Sequence, residues 1–197
     1  MVGMKPIDFL LFSCILGIVK GTQSAPNSTW WPCESLSPYQ NLQLEQVLGQ
    51  WYLVETISSL PGRVDTCAGI ELIRPDADSW SNLIMVGQES SNGRPIVYEN
   101  HTIVIPDSVN SPSLWDQPDI DAAVMVVDVG PANDTLALTT CQRFLGYDWT
   151  GVFSRDMNLD QIVLSLVNER LSNAGLRNSD SAVVSNTTGC PVPVQTT

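Results

Sequence analysis

The sequence predicts an all-β fold: an eight-stranded antiparallel up-and-down β-barrel followed by one C-terminal α-helix. Between about residues 50 and 155, runs rich in β-branched and aromatic residues alternate with turn-forming Gly, Pro, Asn and Asp. From Leu159 onward the apolar residues recur at helical spacing instead. Eight antiparallel strands can close into a barrel, which removes exposed sheet edges and leaves an interior able to hold one small ligand.

The N-terminus has the pattern of a secretory signal. Lys5 precedes an apolar run over residues 9–19, which is too short to span a bilayer comfortably, and small residues follow it. We expect a cleaved signal peptide over residues 1–21, with the cut between residues 21 and 25; an uncleaved anchor is the alternative. The mature protein is then secreted and extracellular, with no transmembrane segment.

The charge of the chain excludes one large class of partners. The net charge is −12, and removal of residues 1–21 makes it −13, because two lysines and one aspartate are lost. Seven scattered arginines then remain, with no lysine. Such a surface repels nucleic acid and disfavours binding to anionic lipid headgroups.

The cysteines that follow the leader predict two disulfides. An even number of cysteines is expected to pair in an exported chain, and four allow three connectivities. They are Cys33, Cys67, Cys141 and Cys190. Their spacing has no metal-binding pattern and His101 is the only histidine, so we expect no metal site and no cofactor.

Four sequons agree with export and predict N-glycosylation. They begin at Asn27, Asn100, Asn133 and Asn186.

One domain accounts for the mature chain. Residues 22–48 read as an N-terminal loop segment with one short helical turn near its end, residues 49–190 as the barrel with its helix, and residues 191–197 as a flexible tail. The predicted strands lie at about 50–59, 66–74, 79–88, 95–105, 113–116, 121–129, 134–142 and 147–155.

The predicted helix has about 16 residues. Asn158 is the expected N-cap, with Gln161 where a capping box places Glu or Gln, and Gly175 follows at the C′ position. The apolar stripe expected to face the barrel consists of Leu159, Ile162, Val163, Leu166, Val167 and, less regularly, Leu171.

Two residues at opposite ends of the strand region are expected to meet. Trp51, in the signature Gly49-Gln50-Trp51-Tyr52, begins the first strand, and Arg155 ends the last one. A barrel needs a plug at one end, which the indole can supply. The guanidinium can lie across that indole, a cation–π contact of roughly 0.5–2 kcal/mol, and can hydrogen-bond nearby carbonyls.

These residues resemble motifs of the lipocalins, most closely the apolipoprotein D and Lazarillo-like branch. Gly49-x-Trp51-Tyr52 is similar to the first family motif, and Phe153-Ser154-Arg155 before the helix is similar to the third. The second family motif is a Thr-Asp-Tyr turn before the seventh strand. Residues 130–135 occupy that place here and match the motif poorly. The resemblance implies the pairs Cys33–Cys141 and Cys67–Cys190. Each would close a loop of over a hundred residues, worth up to roughly 4–5 kcal/mol.

Strand alternation predicts which side chains face the cavity. Asn133 pointing outward turns the leucines of the seventh strand inward, and Trp51 pointing inward also turns Glu55 inward. The ligand-binding residues are then expected to be Leu53, Ile70, Leu72, Leu83, Met85, Val97, Leu136, Leu138, Trp149 and Phe153.

The fourth strand leaves two alternatives open. If Asn100 points outward, Val97, Glu99, His101 and Ile103 point inward. Either the two polar groups line one wall near the mouth and anchor a ligand headgroup, or a bulge resets the alternation or the Asn100 sequon is unused. We favour the second interpretation, a bulge or an unused sequon.

The expected function is that of a secreted carrier or scavenger of a small hydrophobic ligand, such as a retinoid, sterol, fatty acid, bilin or similar lipid. Burial of apolar ligand surface drives such binding at about 25 cal/mol per Å². Catalysis is not expected, because the cysteines should be paired and no Ser/His/Asp or metal constellation is present. An adhesion or receptor-interaction module acting through its glycosylated surface is the alternative, with a cell-surface receptor as partner. An immunoglobulin-like sandwich would require the pair Cys67–Cys141.

Overall fold

The computed structural model describes residues 36–58, 66–90, 97–142, 148–176, 182–188 and 190. Every one of the eight predicted strands is present, with boundaries within three residues of those expected. A ninth strand and two 3₁₀ helices, Leu44–Val47 and Pro118–Ile120, accompany them. The strands are β1 (Gly49–Ser58), β2 (Thr66–Ile73), β3 (Asn82–Ser90), β4 (Val97–Val104), β5 (Leu114–Gln117), β6 (Ala122–Val129), β7 (Thr135–Gln142), β8 (Asp148–Ser154) and β9 (Ala182–Val184), with helix α1 (Gln161–Asn173) between the last two.

The first eight strands form a closed antiparallel barrel, as predicted. Each strand pairs with its neighbour in sequence, and β1 pairs with both β8 and β2, which closes the cylinder. The β1–β2 pairing covers only Gly49 to Tyr52. Beyond that point β1 pairs with β9 instead, at residues 55–57.

Strand β9 was not predicted from the sequence, where this part of the chain reads as a polar tail. It is only three residues long and lies among Asn and Ser, so its own pattern is too weak to indicate a strand. It forms because β1 parts from β2 and leaves backbone groups unpaired. Cys190, disulfide-bonded to Cys67 on β2, ties the chain just after β9 to the barrel.

The two ends of the barrel differ. At one end, called the closed end, β1 begins and the segment before it crosses the opening, with Leu42, Leu44 and Val47 buried. At the other, the open end, β1 finishes and the 3₁₀ helix Pro118–Ile120 joins β5 to β6. Three further connections at the open end, 59–65, 91–96 and 143–147, lie outside the described residues.

Two β-bulges decide which side chains face helix α1. They fall between Leu53 and Glu55 in β1 and between Val126 and Asp128 in β6. Each bulge turns a carboxylate to the outer face, so the expectation that Glu55 points inward is wrong. Alternation fails there because a bulge adds one residue to a strand without changing its composition.

The two outward carboxylates hold the helix. Asn168 donates to Glu55 Oε2 at 3.3 Å, and Arg170 makes a salt bridge to Asp128, with 2.8 Å between Nη2 and Oδ2. Around them lies a second apolar cluster, distinct from the barrel interior. It contains Val54, Ile57, Met125, Val127, Ala137, Val152, Leu164, Val167 and Leu171.

Helix α1 is shorter than expected and begins later. Its N-cap is Asp160, whose Oδ1 accepts a hydrogen bond from Ile162 N at 2.7 Å, so the prediction of Asn158 is wrong. The C-terminal prediction is confirmed. Gly175 has φ +106° and donates to Ser172 O at 3.1 Å, while Leu176 N donates to Leu171 O, the Schellman pattern.

The buried face of α1 also differs from the predicted stripe. Leu164, Val167 and Leu171 are buried, whereas Ile162 is 71% and Leu166 is 48% exposed. Apolar residues occur on both sides of this helix, so the sequence period does not fix its rotation. The polar contacts that α1 makes with Glu55 and Asp128 lie on the buried side.

Candidate ligand-binding site

The floor of the barrel is built around Trp51. Its indole is fully buried, and its Nε1 donates to Val47 O at 2.7 Å, which ties the plug to the 3₁₀ helix that crosses the closed end. The pairing of indole nitrogen and carbonyl removes the cost of burying a polar group among apolar side chains.

Arg155 covers the outer side of that floor. Its Cζ lies 3.5 Å from the centre of the Trp51 ring, so the predicted contact is present. Its Nη1 donates to Gln50 O at 2.7 Å, and its Nη2 donates to Leu48 O at 2.6 Å and Gln46 O at 3.2 Å. Burial lowers the pKa of the Arg155 guanidinium.

Gly49 makes room for this guanidinium. A Cβ at position 49 would lie 3.3 Å from Arg155 Nη1, and the residue has φ +89°, a conformation that side chains other than Gly rarely adopt. The glycine that opens the Gly-x-Trp motif is therefore required by both its backbone and its neighbour.

Above this floor, the half of the barrel next to the closed end, called the lower half, is filled by the protein's own side chains. The inward residues there have at most 2% of their surface accessible, although a side chain lining a ligand-sized cavity would expose surface to it. They are Trp51, Leu72, Leu83, Ile103, Trp115, Val126, Leu136, Leu138 and Phe153.

The open half is different, because some of its inward side chains are partly exposed. Met85 on β3 and Trp149 on β8 are partly buried and pack on the edge of the interior cluster. The Trp149 and Phe153 rings meet edge to face, with centroids 6.3 Å apart. Gly151 separates them, and a Cβ there would come within 2.6 Å of the indole.

The residues predicted to bind ligand are thus distributed over two levels. Leu53, Ile70, Leu72, Leu83, Leu136, Leu138 and Phe153 belong to the packed interior cluster. Met85 and Trp149 stand at the accessible level. Val97 begins β4, opposite Glu89 on β3, and its side chain lies outside the described part of the structure.

Three polar side chains of the open half were not predicted from the sequence. Thr56 pairs with Gly151 and Ser58 with Trp149, so both turn inward after the β1 bulge. Thr140 lies on β7 and pairs with Trp149 of β8, so its side chain also points inward. Knowledge of the bulge would have been needed to find the first two, because unbroken alternation assigns them to the outer face.

The bulge expected in the fourth strand is absent. The β3–β4 register runs without interruption from Asn82↔Val104 to Glu89↔Val97, and Met85 pairs with His101. No bulge therefore resets the alternation within this strand. His101 lies on the inner face, with Glu99 beside it and with Nδ1 hydrogen-bonded to Asp119 of the 3₁₀ helix at the open end.

The disulfide framework excludes the immunoglobulin-like alternative. Cys67 is bonded to Cys190 across 123 residues, as the lipocalin resemblance implied, and so it cannot pair with Cys141. Cys141 is also disulfide-bonded. Its predicted partner, Cys33, lies outside the described residues.

A cavity lies outside the barrel. About 230 Å³ in volume, it opens where the start of α1 meets β1 and β9. Its lining mixes apolar and polar side chains: Val54, Met157, Asn158, Leu159, Gln161, Leu164, Val184, Ser185 and Thr187.

Two other properties of the described residues bear on function. Within those ranges, no helix has both the length and the hydrophobicity needed to cross a membrane. The same ranges contain no group of three or more His, Cys, Asp or Glu side chains able to hold a metal ion.

Solved structures with the same fold include crustacyanin subunits and a siderocalin, whereas the sequence matches no protein-family model and no curated protein. Apocrustacyanin C1 superposes with a TM-score of 0.59 at 16% identity, over 77% of this chain and 84% of that one. Lobster apocrustacyanin A1 gives the same values. The siderocalin Ex-FABP, described as functioning through dual ligand specificities, gives 0.56 at 13% identity, over 73% and 96%. At such identities the likeness establishes the lipocalin fold alone.

Proposed function

We propose that this protein is a secreted carrier or scavenger that holds a small hydrophobic ligand in the open half of its barrel. The observation that carries the proposal is the contrast between the two halves. The floor and lower half are packed, while Met85 and Trp149 present apolar surface at the open end. An apolar ligand gains about 25 cal/mol for each Å² that it buries against such surface.

Two features support export. Three of the four sequon asparagines, Asn100, Asn133 and Asn186, are exposed in the described part of the structure, as a glycosylated side chain must be. The Cys67–Cys190 disulfide belongs to oxidising compartments. We place the protein in the apolipoprotein D-like branch because the four cysteines occupy the positions in the sequence where that branch places its pairs, and we assign the leader to residues 1–21.

Ligand entry is expected to quench tryptophan fluorescence through Trp149. The measurement is a titration with retinol and with a fatty acid, in the wild type and in Trp149→Phe. Trp80→Phe is the matched control, because Trp80 stacks under Arg74 near the closed end, with 4.1 Å between the guanidinium Cζ and the ring centre.

The proposal predicts that quenching disappears in Trp149→Phe and persists in Trp80→Phe. Native mass spectrometry of protein from its own source, followed by organic extraction, should release an apolar species in near-stoichiometric amount. Protein that is repeatedly empty, together with no quenching by either lipid, would refute carriage.

A further inference from the structure

One wall of the open half is polar, and it faces the aromatic wall. His101 lies on the inner face of β4, and Trp149 on that of β8. These strands are four apart in the closed order of eight, so their inner faces oppose each other across the barrel. Any molecule in the open half therefore contacts an apolar surface on one side and His101 with its neighbours on the other.

The hydrogen bonds of His101 leave a place for a donor. Asp119 is a carboxylate that only accepts, so His101 Nδ1 donates to it. In the neutral imidazole Nε2 is then an acceptor, and it lies 3.6 Å from Glu99 Oε2, a second acceptor. Two acceptors that face each other at this distance are satisfied together by a group that donates to both.

The side chains next to His101 are acidic, which favours a positively charged donor there. Glu99 and Asp119 flank His101, with side chains 70% and 38% exposed, and Asp148 adds a carboxylate on the outer face of the open end.

We propose that the barrel selects amphiphiles with a protonated amine headgroup. The alkyl part lies against Trp149 and Met85, and the ammonium donates to His101 Nε2 and Glu99. An ammonium has three donors and a positive charge, a hydroxyl has one donor, and a carboxylate meets the like charges of Glu99 and Asp119. This inference rests on the proposed carrier function and specifies its ligand class.

The test compares three probes that share one alkyl chain: decylamine, decan-1-ol and decanoate. Isothermal titration at about pH 8 should give a Kd for decylamine about tenfold or more below that for decan-1-ol, as a charge-assisted hydrogen bond provides, with decanoate the weakest. In Glu99→Gln the preference for the amine over the alcohol should fall by about tenfold, with the alcohol's Kd unchanged.

Asp148→Asn is the matched control, because it removes one carboxylate from the open end on the outer face, opposite Cys141. Its amine preference should stay within about twofold of the wild type, which separates direct contact from the general negative field. Equal binding of the amine and the alcohol, or a preference for decanoate, would overturn the headgroup assignment and leave the carrier function standing. If none of the three probes binds, both fail.

Discussion

Arg155 shows how far the sequence predicts the chemistry of single residues. Its stacking on Trp51 follows from the positions of the two residues at opposite ends of the strand region. Its bonds to the carbonyls of Gln46 and Leu48 do not, because they depend on how the N-terminal segment crosses the closed end. The guanidinium thus joins the last strand, the first strand and the 3₁₀ helix.

Replacement of Arg155 by Met should destabilise the fold by about 2–4 kcal/mol, because it removes the cation–π contact and three hydrogen bonds to carbonyls. Urea unfolding measures the change. Arg74→Met is the control: Arg74 also stacks on a tryptophan, but it bonds only carbonyls of its own exposed turn, so its loss should be about 1 kcal/mol or less. Equal losses of stability in the two variants would show that the contacts of Arg155 at the closed end stabilise the fold no more than those of Arg74 in its turn.

Glu55 gives a pH dependence whose sign can be worked out. Burial raises the pKa of its carboxyl above the ordinary value, and the hydrogen bond from Asn168 offsets this only in part. Below the ordinary pKa the group is neutral in both folded and unfolded states. As the pH rises through the raised pKa, the folded state must bury the charge, so stability falls.

Glu55→Gln should therefore stabilise the protein by about 1–2 kcal/mol near neutral pH and have little effect near pH 4. Urea unfolding between about pH 4 and pH 8 tests this, with Glu169→Gln as control, because Glu169 is an exposed glutamate on helix α1 next to Asn168. A stability difference that does not change with pH would show that the charge of Glu55 is not the cause.

At the scale of elements, the sequence predicts the C-terminal end of helix α1 but not its start or its rotation. Its Gly175 C-terminus follows from local sequence alone. Its start and rotation do not, because Asn158 and Asp160 are both good caps and apolar residues lie on more than one face. The structure shows Asp160 capping and the Leu164 face buried.

Asp160→Ala should cost about 1 kcal/mol, the usual value of an N-cap, whereas Asn158→Ala should change stability by less than about 0.5 kcal/mol. Thermal unfolding followed by circular dichroism compares the two variants directly. A larger loss at position 158 would mean that the helix begins where the sequence first suggested.

Strand β9 depends on a covalent link as well as on its pairing with β1. Replacement of Cys67 and Cys190 by Ser should lower stability by up to about 4–5 kcal/mol in the chain-entropy model, because the closed loop exceeds a hundred residues. Hydrogen exchange should then rise first at Ala182–Val184. If β9 stays protected while stability falls, the disulfide acts on the unfolded chain alone.

For the whole molecule, the eight-stranded barrel was predictable because each strand is bounded by turn residues and because Trp51 and Arg155 fix its ends. The division of the interior was not. Alternation identifies which side chains face inward, but only packing in three dimensions shows that Leu83, Trp115 and Leu136 fill the lower half. The polar wall at His101 likewise required the uninterrupted β3–β4 register.

Three methionines of the described chain report on where a ligand binds. Met85 lies inside the open half, Met125 lies in the cluster under α1, and Met157 lines the external cavity. A methyl NMR titration with an alkyl ligand is therefore the most direct test of binding in the barrel. The Met85 methyl resonance should shift in proportion to occupancy, while those of Met125 and Met157 stay in place. A shift at Met157 with none at Met85 would put the ligand outside the barrel and contradict the central claim.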